Sequence, residues 1–444
     1  MAVEFKIQNF FYPVDILRLK LSLDRSQWFS KEQLKIYQLQ RLSLILDHSY
    51  KNVPYYRNLF NDLKLKPRDI KTTEDLTKIP LLSKNTLKRS FRSLIADNAQ
   101  QFSPHLCRTS GTTGEPKEFY QDGPSNILEF CYYWRYWSWA GYKLGDRFAE
   151  FTLNHFLNKN IDATSDYSLL TNRLMLNPAQ LSYEKTNNFI SILKKYKPQF
   201  LKGSPSSIYI FAKLLGVKDI SPVKLKAIFT TGELLLNSQK ELIENTFHCK
   251  IFDSYGHMER TVAICQCPLG QYHINSDYGF LEMEDVEKNP SSDLIRGRII
   301  GTSLYNFAMP LIRYELNDAL EISKNAKECE CGRGLPLCKT IVGRMQDVIT
   351  TTDGRFLTNV FILFDILEGV LWCQIVQEKV NKIRVRLAKD TNFSIKSLEE
   401  FMRQLRWLLT NETIIEVEYL SEQIIPSLLS QKYKPIVSTI ITDK

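Results

Sequence analysis

No stretch of this 444-residue chain approaches eighteen consecutive uncharged apolar residues, so nothing in it reads as a membrane-spanning helix. The first thirty residues mix Glu4, Lys6, Asp15 and Lys20 with apolar neighbours. They lack the apolar centre and small-residue cleavage site of a secretory signal, and the chain reads as cytoplasmic. Internal repeats and low-complexity tracts are also missing, which sets aside solenoids and linker-rich assemblies. No block of basic residues stands out: the net charge of +9 is spread along the length. That spread favours anionic small molecules or weak membrane adsorption and leaves nucleic acid unsupported. Nine cysteines without a secretory signal argue against a disulfide framework.

What is present is ample apolar material. With 43% hydrophobic and 12% aromatic residues, the chain can bury the cores of one large domain and one smaller one. The first hundred residues read as mainly helical: Ser30-Lys31-Glu32-Gln33 has the capping-box pattern, Leu34, Leu42, Ile45 and Leu46 recur at helical spacing, and Asn52-Val53-Pro54 breaks the run. From about Arg108 to Ile349, short apolar runs at Phe148–Leu153, Leu225–Thr230, Lys250–Asp253 and Arg298–Gly301 alternate with helical patterns at Tyr183–Tyr196 and Ser238–Thr246. This predicts an α/β sheet core. After Gly343-Arg344-Met345-Gln346-Asp347 the pattern restarts. The strand Lys382–Leu387, a helix capped at Ser397 with Glu400 and carrying Leu398, Phe401, Leu405 and Leu408, and the strand Ile414–Tyr419 predict a small α+β domain. The expected division is 1–344, with a helical entry over about 1–100 and an α/β core over about 101–344, followed by 345–444.

One segment is dense in hydroxyls and glycine: Arg108-Thr109-Ser110-Gly111-Thr112-Thr113-Gly114-Glu115-Pro116-Lys117. Two glycines permit tight turns that present N–H groups, four hydroxyls add donors, and Lys117 adds a mobile charge, which together suit a polyphosphate. A Walker loop sets its lysine directly after the last glycine; Glu115 and Pro116 intervene here, which argues against a GTPase-like cradle. Four further segments accompany this loop: Thr230-Thr231-Gly232-Glu233, Tyr255-Gly256-His257-Met258-Glu259, Arg313-Tyr314-Glu315-Leu316-Asn317-Asp318 and Gly343-Arg344.

In that order the segments resemble the adenylate-forming enzymes, most closely the phenylacetate–CoA ligase-like and CapK-like branch. Ser26-Gln27-Trp28, Asn52-Val53-Pro54-Tyr55-Tyr56-Arg57, Met309-Pro310-Leu311-Ile312-Arg313-Tyr314 and Gln431-Lys432-Tyr433-Lys434 echo the same branch, so the likeness spans nearly the whole chain. It implies a large multi-sheet adenylation domain and a small mobile C-terminal lid. Thr109, Ser110, Gly111, Thr112, Thr113, Gly114 and Lys117 would hold the ATP phosphates. Gly232 and Glu233 would wall the adenine, with Tyr255 and Gly256 against its face. Glu259 would hold Mg²⁺, and Asp318 would accept the ribose hydroxyls. Arg344 would meet the nucleotide at the hinge with Asp347 near the pivot, and Lys432 would bridge the substrate carboxylate and ATP. Such a lysine lowers the barrier because two anions must meet when a carboxylate attacks the α-phosphorus. Gln431, Asn317 and Leu316 depart from the family pattern, which leaves Lys434 as a competitor to Lys432. His257 reads as pocket wall rather than base, since adenylation of an ionised acid removes no proton.

The implied partners are ATP, Mg²⁺, a carboxylic acid and CoA. The CapK-like branch is associated with surface-polysaccharide biosynthesis, so an amine of an amino sugar or amino acid is the second candidate acceptor. A nucleotide-binding relative without turnover is the reading from another class, and a homodimer is left open. A second constellation is Cys267 with His273 and Cys329 with Cys331, the Cys₃His set of a tetrahedral zinc site; Cys265 and Cys338 are spare candidates. The aromatic run from Phe130 to Trp139 reads first as a buried helix and second as acyl-pocket lining.

Overall fold

The computed structural model describes residues 13–109, 117–152, 155–156, 159–160, 162–181, 184–216, 223–288, 293–342, 349–352, 356–357, 360–421 and 434–440. They form two compact units, Val3–Tyr142 with Ser254–Ile341 and Lys143–Asp253 with Val342–Lys444. The expected boundary near residue 344 lies outside the described residues. Among the described residues, no helix is long and apolar enough to cross a membrane.

The first unit opens with helices Pro13–Ser26, Lys31–Asn52 and Pro54–Asp62. Ser30 caps the second one as its sequence predicts: the Gln33 N–H donates to Ser30 Oγ at 3.3 Å and the Ser30 N–H donates to Gln33 Oε1 at 2.9 Å. Pro54 cannot continue that helix and instead occupies the first turn of the next. Helix Gly123–Ser138 is buried almost all round, including Tyr132, Tyr133, Tyr136 and Trp137, so the aromatic run is core packing. Its Arg135, fully buried, pairs with Asp277 and donates to Asn275 Oδ1 at 2.8 Å. Strands Gly279–Lys288, Leu294–Ser303 and Tyr314–Ser323 pair antiparallel in that order. Ala263–Gln266, Tyr272–Ile274 and Leu337–Cys338 form a second antiparallel set, with His273 opposite Cys265 and Tyr272 opposite Cys338.

The second unit is built on parallel strands. In spatial order they are Arg173–Leu176, Phe148–Phe151, Phe200–Gly203 and Ala227–Thr231, with Ser165–Ser168 antiparallel beside the first. Period-two alternation sends Ala149, Phe151, Leu174, Leu176, Leu201 and Ile228 into one core, with Phe189, Phe211 and Ile243 from helices Thr186–Tyr196, Pro205–Leu215 and Asn237–Phe247. On the other face Phe148, Phe200 and Phe229 stack, and Glu150 meets Lys202 at 2.6 Å and Arg173 at 3.4 Å.

The C-terminal part of this unit pairs Val370–Lys379 antiparallel with Lys382–Lys389, flanked by parallel strands Ile414–Leu420 and Ile436–Ser438. Helix Ile395–Leu408 buries Leu398, Phe401 and Leu405. Its cap corrects the sequence expectation: Ser394, extended at ψ 114, accepts the Ser397 N–H at 3.2 Å, so Ser397 lies inside the first turn. The Ser397 hydroxyl is used elsewhere, accepting the Glu368 N–H at 3.0 Å. Leu371, Trp372 and Ala388 join the α/β core, and Lys213 pairs with Asp390 at 3.6 Å.

Candidate active site and metal centre

In the first unit, Tyr255 and Gly256, at the end of strand Lys250–Gly256, lead into a tight loop carrying His257 and Glu259. The Tyr255 hydroxyl donates to Asp318 Oδ2 at 2.8 Å, which joins two residues predicted to serve one nucleotide. Glu259 is buried at 6% exposure, with His257 Nδ1 3.2 Å from Oε2 and the Tyr314 hydroxyl 3.4 Å from Oε1. The Val262 N–H can only donate, and it points at His257 Nε2 across 3.2 Å. The imidazole hydrogen therefore sits on Nδ1 and faces the Glu259 carboxylate. His257 orients Glu259 and has no lone pair to offer a substrate at that nitrogen. Glu259 offers carboxylate oxygens, the donor type that a hard cation takes.

This loop can lie close to the sheet because two strand positions lack side chains. A Cβ on Gly279 would come within 1.9 Å of the Thr261 carbonyl oxygen, and one on Gly301 within 2.0 Å of Thr261 Oγ1. Arg260, at φ +54, donates to Asn126 Oδ1 at 2.7 Å and ties the same loop to helix Gly123–Ser138.

The phosphate-loop candidates Ser110, Gly111, Thr112, Thr113 and Gly114 fall outside the described residues. Thr109 and Lys117 are register partners at the end of the antiparallel ladder His105–Thr109 with Lys117–Gln121. Arg344, Asp347 and Lys432 also lie outside the described residues. Lys434 lies within them, and its carbonyl accepts from Gln374 Nε2 at 3.0 Å.

In the second unit, strand Ala227–Thr231 ends at Gly232 and Glu233. Glu233 Oε2 accepts the Ser206 N–H at 3.1 Å in the first turn of helix Pro205–Leu215, where the helix dipole favours a carboxylate. The structure thus gives Glu233 a fixed position at the carboxyl end of the parallel strands.

The four sulfur and imidazole candidates converge within the first unit. One ligand atom from each of Cys267, His273, Cys329 and Cys331 lies within 4.8 Å of all the others. Cys267 Sγ and Cys329 Sγ are 3.8 Å apart, and Cys331 Sγ is 3.4 Å from His273 Nε2. A tetrahedron with Zn–S and Zn–N bonds of usual length has edges of about 3.8 and 3.6 Å, so the set fits zinc. Two tight turns present the thiols, with the Gly270 N–H on the Cys267 carbonyl at 2.8 Å and the Gly332 N–H on the Cys329 carbonyl at 3.0 Å. Cys265 stays outside the set and takes the Asn275 side-chain amide at 3.3 Å.

The surroundings of this centre carry no sequence motif. His273 Nδ1 is 3.0 Å from the Leu335 carbonyl, which fixes the tautomer with Nε2 free to ligate. Burial, with the nearby Arg333 charge, lowers the His273 imidazole to about 4, against the opposing pull of the Leu335 carbonyl, and so favours the ligating neutral form. Burial pushes the Cys329 thiol up to about 12. At Cys331 burial acts the same way but is outweighed by hydrogen bonds from the Arg333 backbone and guanidinium, so this thiol lies below its ordinary value.

Residues 349–439 match the family described as the CapK C-terminal domain. The chain is 22% identical over 435 residues to protein CapK of Staphylococcus aureus, covering 91% of this chain and 89% of that protein. It is 25% identical over 346 residues to the phenylacetate–coenzyme A ligase of Pseudomonas putida, covering 74% of each. Among solved structures, a 2-hydroxyisobutyryl-CoA ligase in its postadenylation state superposes with a TM-score of 0.68 at 18% identity, over 89% of this chain and 88% of that one. The chain carries a CapK C-terminal domain, has CapK and the phenylacetate–CoA ligases as relatives over most of its length, and shares the fold of a CoA ligase.

Proposed function

We propose that the protein is an AMP-forming ligase that joins a carboxylic acid to the α-phosphorus of ATP, releases pyrophosphate and passes the acyl group to the thiol of CoA. The observation that supports this reading is the Tyr255–Asp318 bond beside the His257–Glu259 pair, which joins to one framework the carboxylates that would accept the ribose hydroxyls and hold the cation. Asp318 would accept the ribose hydroxyls, and Gly232 and Glu233 would border the adenine. Ser110 to Gly114, with Thr109 and Lys117, would wrap the β- and γ-phosphates with N–H and hydroxyl donors. Magnesium bound at Glu259 would offset the phosphate charge. Lys432, with Arg344, would hold the substrate carboxylate against ATP as a cation between two anions. Cys267, His273, Cys329 and Cys331 would hold a structural zinc with no open position and no part in the reaction.

The resemblance to the CapK-like branch leaves a second acceptor as the alternative reading, the amine of an amino sugar or amino acid. Acid-dependent ATP–pyrophosphate exchange over aryl, fatty, amino and sugar acids tests the first half of the reaction, and product formation with and without CoA tests the second. A Lys432→Ala variant that exchanges as fast as the wild type removes that lysine from the mechanism. ATP binding without exchange on any acid favours a relative without turnover.

A further inference from the structure

We propose that His155, held by Asp166, takes the proton from the nucleophile in the acyl-transfer half of the reaction; this rests on the ligase reading above. His155 Nε2 lies 2.6 Å from Asp166 Oδ2, and the same oxygen receives Lys159 Nζ at 2.9 Å. The hydrogen bonds from Lys159 and His155 hold the Asp166 carboxyl down at about 2, so it is an ionised acceptor at working pH. Nε2 therefore carries the hydrogen and Nδ1 carries the lone pair. Among the described residues, Nδ1 makes no hydrogen bond. A carboxylate that fixes the tautomer of an imidazole whose other nitrogen is open is the arrangement by which enzymes make a histidine a general base.

The position of the pair in the fold points to the same use. His155 follows strand Phe148–Phe151, and Asp166 lies on Ser165–Ser168 opposite Met175 near the end of Arg173–Leu176. Strands Phe148–Phe151, Phe200–Gly203 and Ala227–Thr231 run parallel, so His155, Ser204 to Ser206 and Glu233 all emerge at their carboxyl ends, where open α/β sheets bind ligands. The strand leading to His155 is two places from the one leading to Glu233, a lateral offset of about 10 Å at the usual strand spacing. The His155 side chain is 16% exposed, with the buried Phe156 ring 5.1 Å away. Asp166 and Lys159 are the charged groups that face it among the described residues.

The chemistry needs this base in one half only. Adenylation of an ionised carboxylate moves no proton. In transfer, a sulfur or nitrogen lone pair forms a bond to the acyl carbon. The bond from that carbon to the phosphate oxygen breaks, and its electron pair leaves with AMP. The proton of the attacking S–H or N–H passes to His155 Nδ1.

The test uses the full-length enzyme and the variants His155→Ala and Asp166→Asn. The probes are phenylacetate, or the panel acid that supports exchange in its place, with CoA as the thiol and glucosamine as the amine. Pyrophosphate exchange should stay within about two-fold of the wild type, while single-turnover transfer falls about 100-fold in His155→Ala and about ten-fold in Asp166→Asn. The wild-type transfer rate should rise along an acidic limb that His155→Ala lacks. Undiminished transfer, or a persisting acidic limb, overturns the proposal. So does a parallel loss of exchange and transfer, which marks a structural pair and leaves the ligase reading intact. Absence of exchange in the wild type with every acid overturns the ligase reading and this proposal with it.

Discussion

Tyr255 donates its hydroxyl hydrogen to Asp318 across 2.8 Å, tying the end of strand Lys250–Gly256 to strand Tyr314–Ser323. A hydrogen bond to a charged group contributes about 1.5–3 kcal/mol, so Tyr255→Phe should raise the KM for ATP about ten-fold or more with kcat little changed. Asp318→Ala removes the ribose acceptor itself and should cost more. Steady-state exchange with varied ATP measures both, and an unchanged KM in the two variants would sink the proposed ribose contact.

The proposed zinc site should also be felt away from Cys267, His273, Cys329 and Cys331. The Arg333 guanidinium, two residues after Cys331, lies 4.1 Å from the Trp139 ring centre and 4.9 Å from that of Trp28. Gln27 Oε1 accepts from Trp139 Nε1 at 2.8 Å and from Arg333 Nε at 3.1 Å. Protein purified without chelator should carry one equivalent of zinc, and Cys329→Ser or chelation should lower Tm and shift tryptophan emission to the red as this stack loosens. Well under one equivalent of metal in the wild type would refute the zinc assignment.

How much of this was legible in the sequence depended on how local each signal is. The capping box at Ser30 and the helical spacing of Leu34, Leu42, Ile45 and Leu46 act within a few turns, and both appear as read. The Cys267, His273, Cys329 and Cys331 set was legible because metal chemistry restricts residue types, though pairing across sixty residues is a property of the fold. The Leu335 carbonyl on His273 was not legible, since every residue has a carbonyl and only the path of the chain selects one. Ser394 and Ser397 are both capping residues by type, and the extended backbone at Ser394 decides between them. His155 and Asp166 belong to no motif, and a hairpin strand brings them together.

Acid sensitivity should have a source at His48. Burial, between the rings of Phe102 and Phe307, lowers its imidazole below the ordinary value, against the Phe307 carbonyl at 2.8 Å from Nε2 and the Asp122 charge. The unfolded chain then binds the proton more readily than the folded one. The stability contributed by neutral His48 is fully present above the unfolded value of about 6.5 and is lost as pH falls through the lower folded value. Urea unfolding at pH 7.5 and pH 5 should show a smaller pH-dependent loss in His48→Gln than in the wild type, and equal losses would contradict this.

The sheet of the second unit carries a charged group in a place that normally holds an apolar one, and that exchange should have a measurable cost. Glu150 is 5% exposed between Lys202 at 2.6 Å and Arg173 at 3.4 Å. Burial alone would raise its carboxyl, but the two cations outweigh burial and hold it below the usual range. Removing one member of such a group strands a buried charge, so Lys202→Met should destabilise by about 3–5 kcal/mol, and Glu150→Gln by a similar amount because two cations then face each other. Combining the two, Glu150→Gln with Lys202→Met, removes both members of the contact together and should cost less than the sum of the single changes. A double-mutant cycle from urea unfolding at pH 7 reads this directly, with a coupling energy of a few kcal/mol expected. Strict additivity would mean that Glu150 and Lys202 fold as independent charges despite their contact.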